Sequence, residues 1–138
     1  MSVIDQNELR SAAGAKAGAI SLFSSVDETA RFTAQWRRPS TVLVTASGEI
    51  DAVNAGHLAE YATSHLEGHR NLILDLQGLQ FFGTDGLAAL NEIQRHCAGE
   101  GVDWLVVPSK AVTRLLDISG GRNFPLGNSV PGLWNKLA

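Results

Sequence analysis

The chain has 138 residues, a net charge of −3 at pH 7, 44% apolar residues and 18% charged ones: one domain's worth of chain, too apolar to be disordered throughout. A pI near 5.7 gives no cationic surplus for nucleic-acid phosphates, and no run of about 18 apolar residues is there to insert into a membrane. Cys97 stands alone, which excludes an intrachain disulfide and a multi-cysteine metal site.

Residues 1–30 read as a flexible tail. The stretch 11–19 is small, Gly-interrupted and without a large apolar side chain, so it buries too little surface to offset its ordering entropy. A short amphipathic helix or an edge strand around residues 20–26 stays open. With Asp5, Glu8 and no sustained apolar core, this end does not read as a secretion signal, and the expected location is the cytoplasm.

Regular structure is expected over residues 31–138. Residues 32–36 alternate and 41–45 are strongly strand-like, with the turn chemistry of Arg37, Arg38, Pro39 and Ser40 between them, which predicts a hairpin. Residues 54–66 place Ala55, Leu58, Ala59, Ala62 and Leu66 on one helical face. The apolar run 72–76 predicts a buried strand, followed by a loop to Phe81 and Phe82. A second helix over 84–99 carries Leu87, Leu90, Ile93, Gln94 and Cys97 on one side. Strand 104–107 ends at Pro108. Ser109 then caps a third helix with Val112, Leu115 and Leu116 inward and Gly120-Gly121 as its stop. A short strand near 124–126 and a last helix opening at 129–131, with Leu133, Trp134 and Leu137 facing the core, complete the chain. The order predicts an α/β fold: a small mixed sheet, its initial hairpin antiparallel and its later strands parallel.

Chemistry concentrates between Leu74 and Leu87. Gly83-Thr84-Asp85-Gly86 leads into a helix, so Thr84 falls at the N-terminus, where the dipole and free N–H groups favour an anion, including a phosphate carried on Thr84. On spacing alone Thr84 is an N-cap and Asp85 a first-turn acid. Asp51 reads as a capping residue, with Asn54 the alternative, and Glu49 as a solvated charge. His57, His65, His69 and His96 form no metal-like set and read as surface residues, His65 and His69 being separated by a helix end at Gly68. Cys97 reads as a small core residue rather than a redox sensor. No phosphate loop, nucleophile elbow or His-rich cluster suggests an enzyme, a metal or a cofactor.

Three segments together resemble the STAS domain, and more narrowly the bacterial anti-sigma factor antagonists (anti-anti-sigma factors): residues 42–51 with Gly48-Glu49-Ile50-Asp51, residues 74–87, and residues 109–120 with Arg114. The resemblance runs from about Phe32 to the C-terminus and implies helices packed mainly on one face of the sheet. In that family the loop into the second helix usually reads Asp-Ser-Ser/Thr-Gly, and its first hydroxyl is the phosphorylation site. The matching residue is Thr84, with Gly83 in place of the family's Asp and Asp85 in place of its second hydroxyl. The resemblance thus implies Glu49, Asp51, Gly83, Thr84, Asp85 and Gly86 as the partner-binding rim. The implied partner is an anti-sigma factor of the serine/threonine-kinase type. Unphosphorylated antagonist binds it and frees a sigma factor; phosphorylation breaks the complex, and a phosphatase restores it. Two other binding roles stay open: a STAS subunit of a lipid-transport ABC complex, and a small-molecule or nucleotide sensor. Homodimerisation also stays open, with Trp36 and Trp134 as available apolar surface. Limited proteolysis should remove residues up to about Ile20 and leave cooperative unfolding intact; loss of that cooperativity would make the tail part of the domain.

Overall fold

The computed structural model describes residues 20–21, 29–37, 40–120, 123–128 and 130. Residues 1–19 and 22–28 of the expected tail, the turn at Arg38 and Pro39, and the last helix with Leu133, Trp134 and Leu137 lie outside the described residues.

Among the described residues, five strands form one sheet in the order β1-β2-β3-β4-β5: β1 Ile20–Ser21, β2 Ala30–Arg37, β3 Thr41–Ile50, β4 Asn71–Phe82 and β5 Asp103–Val107. Three helices with described bounds connect or follow them: α1 Ala55–Thr63, α2 Asp85–Glu100 and α3 Lys110–Ser119. β2 and β3 pair antiparallel, whereas β3–β4 and β4–β5 pair parallel, as the alternation of strands and helices requires. Ile20 and Ser21 pair with Gln35 and Ala34, so of the two options near residue 20 the edge strand is the one formed.

The strand pleat sorts the core. Even-numbered side chains of four strands (Phe32 and Ala34, Val42 to Ala46, Leu72 to Leu76, Trp104 and Val106) join one cluster with Leu58 of α1, Ile93 of α2 and Leu116 of α3. All three helices therefore cover the same face. On the other face Ile73 and Val107 are buried, with Leu43 and Val130 packed against them. Both faces of the central strands are covered, which is why they read as unbroken apolar runs.

Several expected boundaries move. β4 does not stop at Leu76: it runs on to Phe82 because β3 continues beside it as far as Ile50, across two register shifts. The polar residues Gln77 and Gln80 that suggested a loop are the outward positions of this extension, while Leu79 and Phe82 point inward. α1 ends at Thr63, well before Gly68. There the Thr63 hydroxyl donates to the Ala59 carbonyl (2.8 Å) and the Ser64 hydroxyl to that of Tyr61 (2.8 Å), competing with the backbone ladder. The segment near 124–126 contributes a single parallel bridge, Leu126 to Val106, rather than a strand. The α3 punctuation is as expected: Ser109 Oγ accepts the Val112 N–H at 3.2 Å, and Gly120 takes the left-handed conformation at φ 74°.

The histidines divide. His57 and His96 are exposed, but His65 and His69 are half-buried, with the His65 ring centroid 4.6 Å from Tyr61 and 5.9 Å from Trp36. Trp36 is thus half-buried against the core rather than a free apolar surface. Cys97 is buried on the inner face of α2, and burial pushes its thiol up to about 12. A thiol that is both covered and protonated reacts slowly. Alkylation near pH 8 should be slow in the native protein and fast in denaturant; fast native labelling would overturn its core assignment.

Candidate functional site: the rim at the ends of β3 and β4

Parallel pairing carries two distant pieces of sequence to one place. Glu49 lies opposite Phe81 and Ile50 opposite Phe82, and the Gly83 N–H donates to the Ile50 carbonyl at 2.9 Å, one step past the last paired residues. The turn after β3 and the loop after β4 are thereby held side by side. Glu49, Asp51, Gly83, Thr84, Asp85 and Gly86 all belong to this rim.

The turn after β3 is built by reciprocal hydrogen bonds. Asp51 Oδ1 accepts from the N–H groups of Val53 (2.9 Å) and Asn54 (3.2 Å), while Asn54 Oδ1 accepts from the Asp51 N–H (2.8 Å). The Asp51 carbonyl also accepts from Ala55 N–H at 2.9 Å, which opens the helical turn leading into α1. This is the pattern of a capping box with Asp51 as cap and Asn54 as its reciprocating partner, so both residues share the work that the sequence left undivided between them. Asn54 is fully buried, and its Nδ2 donates to the Glu49 carbonyl (2.9 Å) and to Thr29 Oγ1 (3.1 Å). Its three side-chain partnerships weld β3, the cap and the entry to β2. Gly48 sits at φ +100°, and a Cβ there would strike the Thr29 carbonyl oxygen, so only glycine lets the backbones approach.

The loop after β4 is tight. Gly86 N–H donates to the Gly83 carbonyl (2.8 Å) and Leu87 N–H to that of Thr84 (3.0 Å), so the chain turns into α2 at once. Thr84 is in the N-cap position, but its backbone is already helical (φ −62°, ψ −26°) and its hydroxyl makes no capping hydrogen bond. The expectation that it works as a side-chain cap is therefore corrected. A conventional cap needs extended backbone to aim its oxygen back at the first turn, and the tight entry removes that option. The exposed hydroxyl is left on the surface. Gly86 is buried against Phe82: a Cβ would lie over the ring, 2.7 Å from its Cε2 and nearer still to Cε1 and Cζ. Its part in the site is to let α2 start on top of that ring.

Two apolar residues of the rim escaped the sequence reading. Val53 is 77% exposed and Phe81 50% exposed, two of the four large exposed hydrophobics among the described residues. Phe81 was detectable in principle, since it must point opposite to Phe82 on a strand. Around them stand Glu49, Asp51 and Asp85, with no Lys or Arg in residues 48–54 or 81–86.

The sequence model of the STAS domain matches residues 36–131. The chain belongs to the STAS domain family. It is 34% identical over 104 residues to Osmosensory protein A of Mycobacterium tuberculosis, covering 70% of this chain and 64% of that protein. Anti-sigma-F factor antagonist RsfA of Mycobacterium tuberculosis is 34% identical over 85 residues, or 59% of this chain and 66% of that one. The chain therefore spans about two thirds of the length of these curated relatives (64% and 66%). Among solved structures, an anti-sigma factor antagonist from Mycobacterium paratuberculosis superposes with a TM-score of 0.69 at 24% identity, over 83% of this chain and 97% of that one. Unphosphorylated SpoIIAA, another anti-sigma factor antagonist, gives a TM-score of 0.61 at 16% identity, over 72% and 88%. These likenesses establish the STAS fold of this domain: a mixed sheet with its helices on one face.

The packing of the rim makes a stability prediction. Gly86→Ala should lower stability by about 1–3 kcal/mol through overpacking on Phe82. Gly56→Ala, where α1 leaves open space around the site, should raise it by about 0.5–1 kcal/mol. Asn54→Ala should cost about 2–3 kcal/mol by stranding the Asp51 N–H and the Glu49 carbonyl. Urea midpoints of the three variants check the pattern; a neutral Gly86→Ala would refute the ring contact.

Proposed function

We propose that this domain is an anti-sigma factor antagonist, a binding module rather than an enzyme, and that Thr84 is its phosphoacceptor. The observation that carries the reading is the placement of the Thr84 hydroxyl. It is exposed, uncommitted to capping, and set at the head of α2 beside the acidic Glu49–Asp51 turn. The rim is the docking surface, and the partner is an anti-sigma factor of the serine/threonine-kinase type. In the unphosphorylated state the antagonist occupies that partner and a sigma factor is released; the setting is the cytoplasm. The kinase step moves the γ-phosphoryl group of ATP to the Thr84 oxygen, with ADP and the hydroxyl proton leaving. A phosphatase hydrolyses the ester and restores binding. The likeness to RsfA and to the two anti-sigma factor antagonists of known structure supports this reading, as does the match of Thr84 to the family's modified position.

Addition of nearly two negative charges to a surface that already holds Glu49, Asp51 and Asp85 opposes docking through desolvation and like-charge repulsion. Gly83 and Asp85 depart from the family loop. Asp85 places one negative charge beside Thr84 permanently, with fewer acceptor oxygens than a phosphate, so it mimics the modified state only in part.

Because the Thr84 hydroxyl caps nothing, Thr84→Ala should fold within about 0.5 kcal/mol of wild type. It should bind the anti-sigma factor and accept no phosphate. Thr84→Glu should weaken binding, by less than phosphorylation does. Asp85→Ser should leave phosphorylation intact or raise it. Each purified kinase-type anti-sigma factor of the source organism is incubated with ATP and the variants, with mass spectrometry for the site and titration for affinity. Phosphate on another residue, or equal affinity of wild type and Thr84→Glu, would refute the switch.

A further inference from the structure

We infer that Phe81 is the apolar anchor of the rim beside Thr84. This rests on the antagonist reading and names the kind of surface the partner presents. Phe81 points outward at the very end of β4, half of it in water. A Cβ at Gly83 would lie 3.3 Å from Phe81 Cε2 and 3.6 Å from Cζ, so the ring leans over the Gly83 backbone, one residue from Thr84.

An aromatic ring has few torsions to lose on docking, and aromatic anchors dominate interface energies. Val53, more exposed still, adds a second apolar contact on the same rim. Glu49 and Asp85 flank them, and the rim segments contain no cation. The complementary partner surface is an apolar pocket that admits an aromatic ring and is bordered by Lys or Arg. Affinity comes from the pocket, and orientation and encounter rate from the charges.

The two contributions separate by salt. Wild type, Phe81→Ala, Phe81→Leu, Gly83→Ala and Glu49→Gln are each titrated against the purified kinase-type anti-sigma factor over a range of NaCl, with thermal melts confirming the fold. Phe81→Ala should weaken binding about tenfold to thirtyfold with its salt dependence unchanged. Phe81→Leu should recover most of that loss, and Gly83→Ala, to which the exposed ring adjusts by a small shift, should change affinity little. Glu49→Gln should flatten the salt dependence and change affinity little at high salt. If wild type binds and Phe81→Ala binds equally well, the anchor is overturned while the antagonist reading stands. If wild type binds none of the anti-sigma factors, the antagonist reading fails and the anchor falls with it.

Discussion

The constraint on which the rest depends is the length of the parallel β3–β4 pairing. The ladder could have ended near Asp75, where β5 ends its own pairing with β4. It continues instead to Ile50 and Phe82, and the Gly83 N–H adds one further bond to Ile50. Those last residues form an arm without β5, flanked by β2 as far as Gly48. Its tip carries everything the family resemblance assigns to the site. The arm lacks β5 as a neighbour, so its stability comes from side chains placed inward (Ile50, Leu79 and Phe82) and from the backbone bonds at its end.

That tip is stiffened from within. Asn54 is a fully buried polar residue, which is costly unless every polar atom is used. Its Oδ1 and Nδ2 engage Asp51, Glu49 and Thr29, so the cost is met by bonds that also fix the turn. On the other loop the Phe82 ring fills the space under Gly86 and forces the immediate entry into α2. The rim's exposed groups thus project from two rigid turns rather than from mobile loops. Preorganisation of this kind reduces the ordering cost of any complex formed there.

The order of strands and helices was legible because binary pattern and punctuation agreed: apolar runs at 41–45 and 72–76, the Ser109 cap, and the glycine stop at residue 120. The motif positions were legible for the same reason, since a hydroxyl before a helix and an acid after a strand have few local roles. Two things were hidden. The extension of β4 was masked by Gly78 and by Gln77 and Gln80, polar residues that face water on a strand as readily as in a loop. Only knowledge of the neighbouring strand's length distinguishes these cases. The role of Asn54 was hidden as well, because its partners Thr29 and Glu49 come from different elements and nothing in its local spacing announces burial. Thr84 failed as a cap for a related reason: the cap signature presumes extended backbone, and the packing of Gly86 on Phe82 imposed helical backbone instead.

The proposed switch has an asymmetry that follows from this exposed setting. Like charges about 4 Å apart repel by about 1 kcal/mol in bulk water and by about 4 kcal/mol at the effective dielectric of a protein surface. Thr84, Asp85 and Glu49 are exposed in the free domain. There, water and salt screen a phosphate on Thr84 from the neighbouring carboxylates. When a partner covers the rim, water leaves and the same charges are felt several times more strongly. Because the Thr84 hydroxyl holds up no part of the fold, modification strains nothing in the free domain. The larger part of its energetic effect falls on the complex, which is what a reversible binding switch requires of its modified residue.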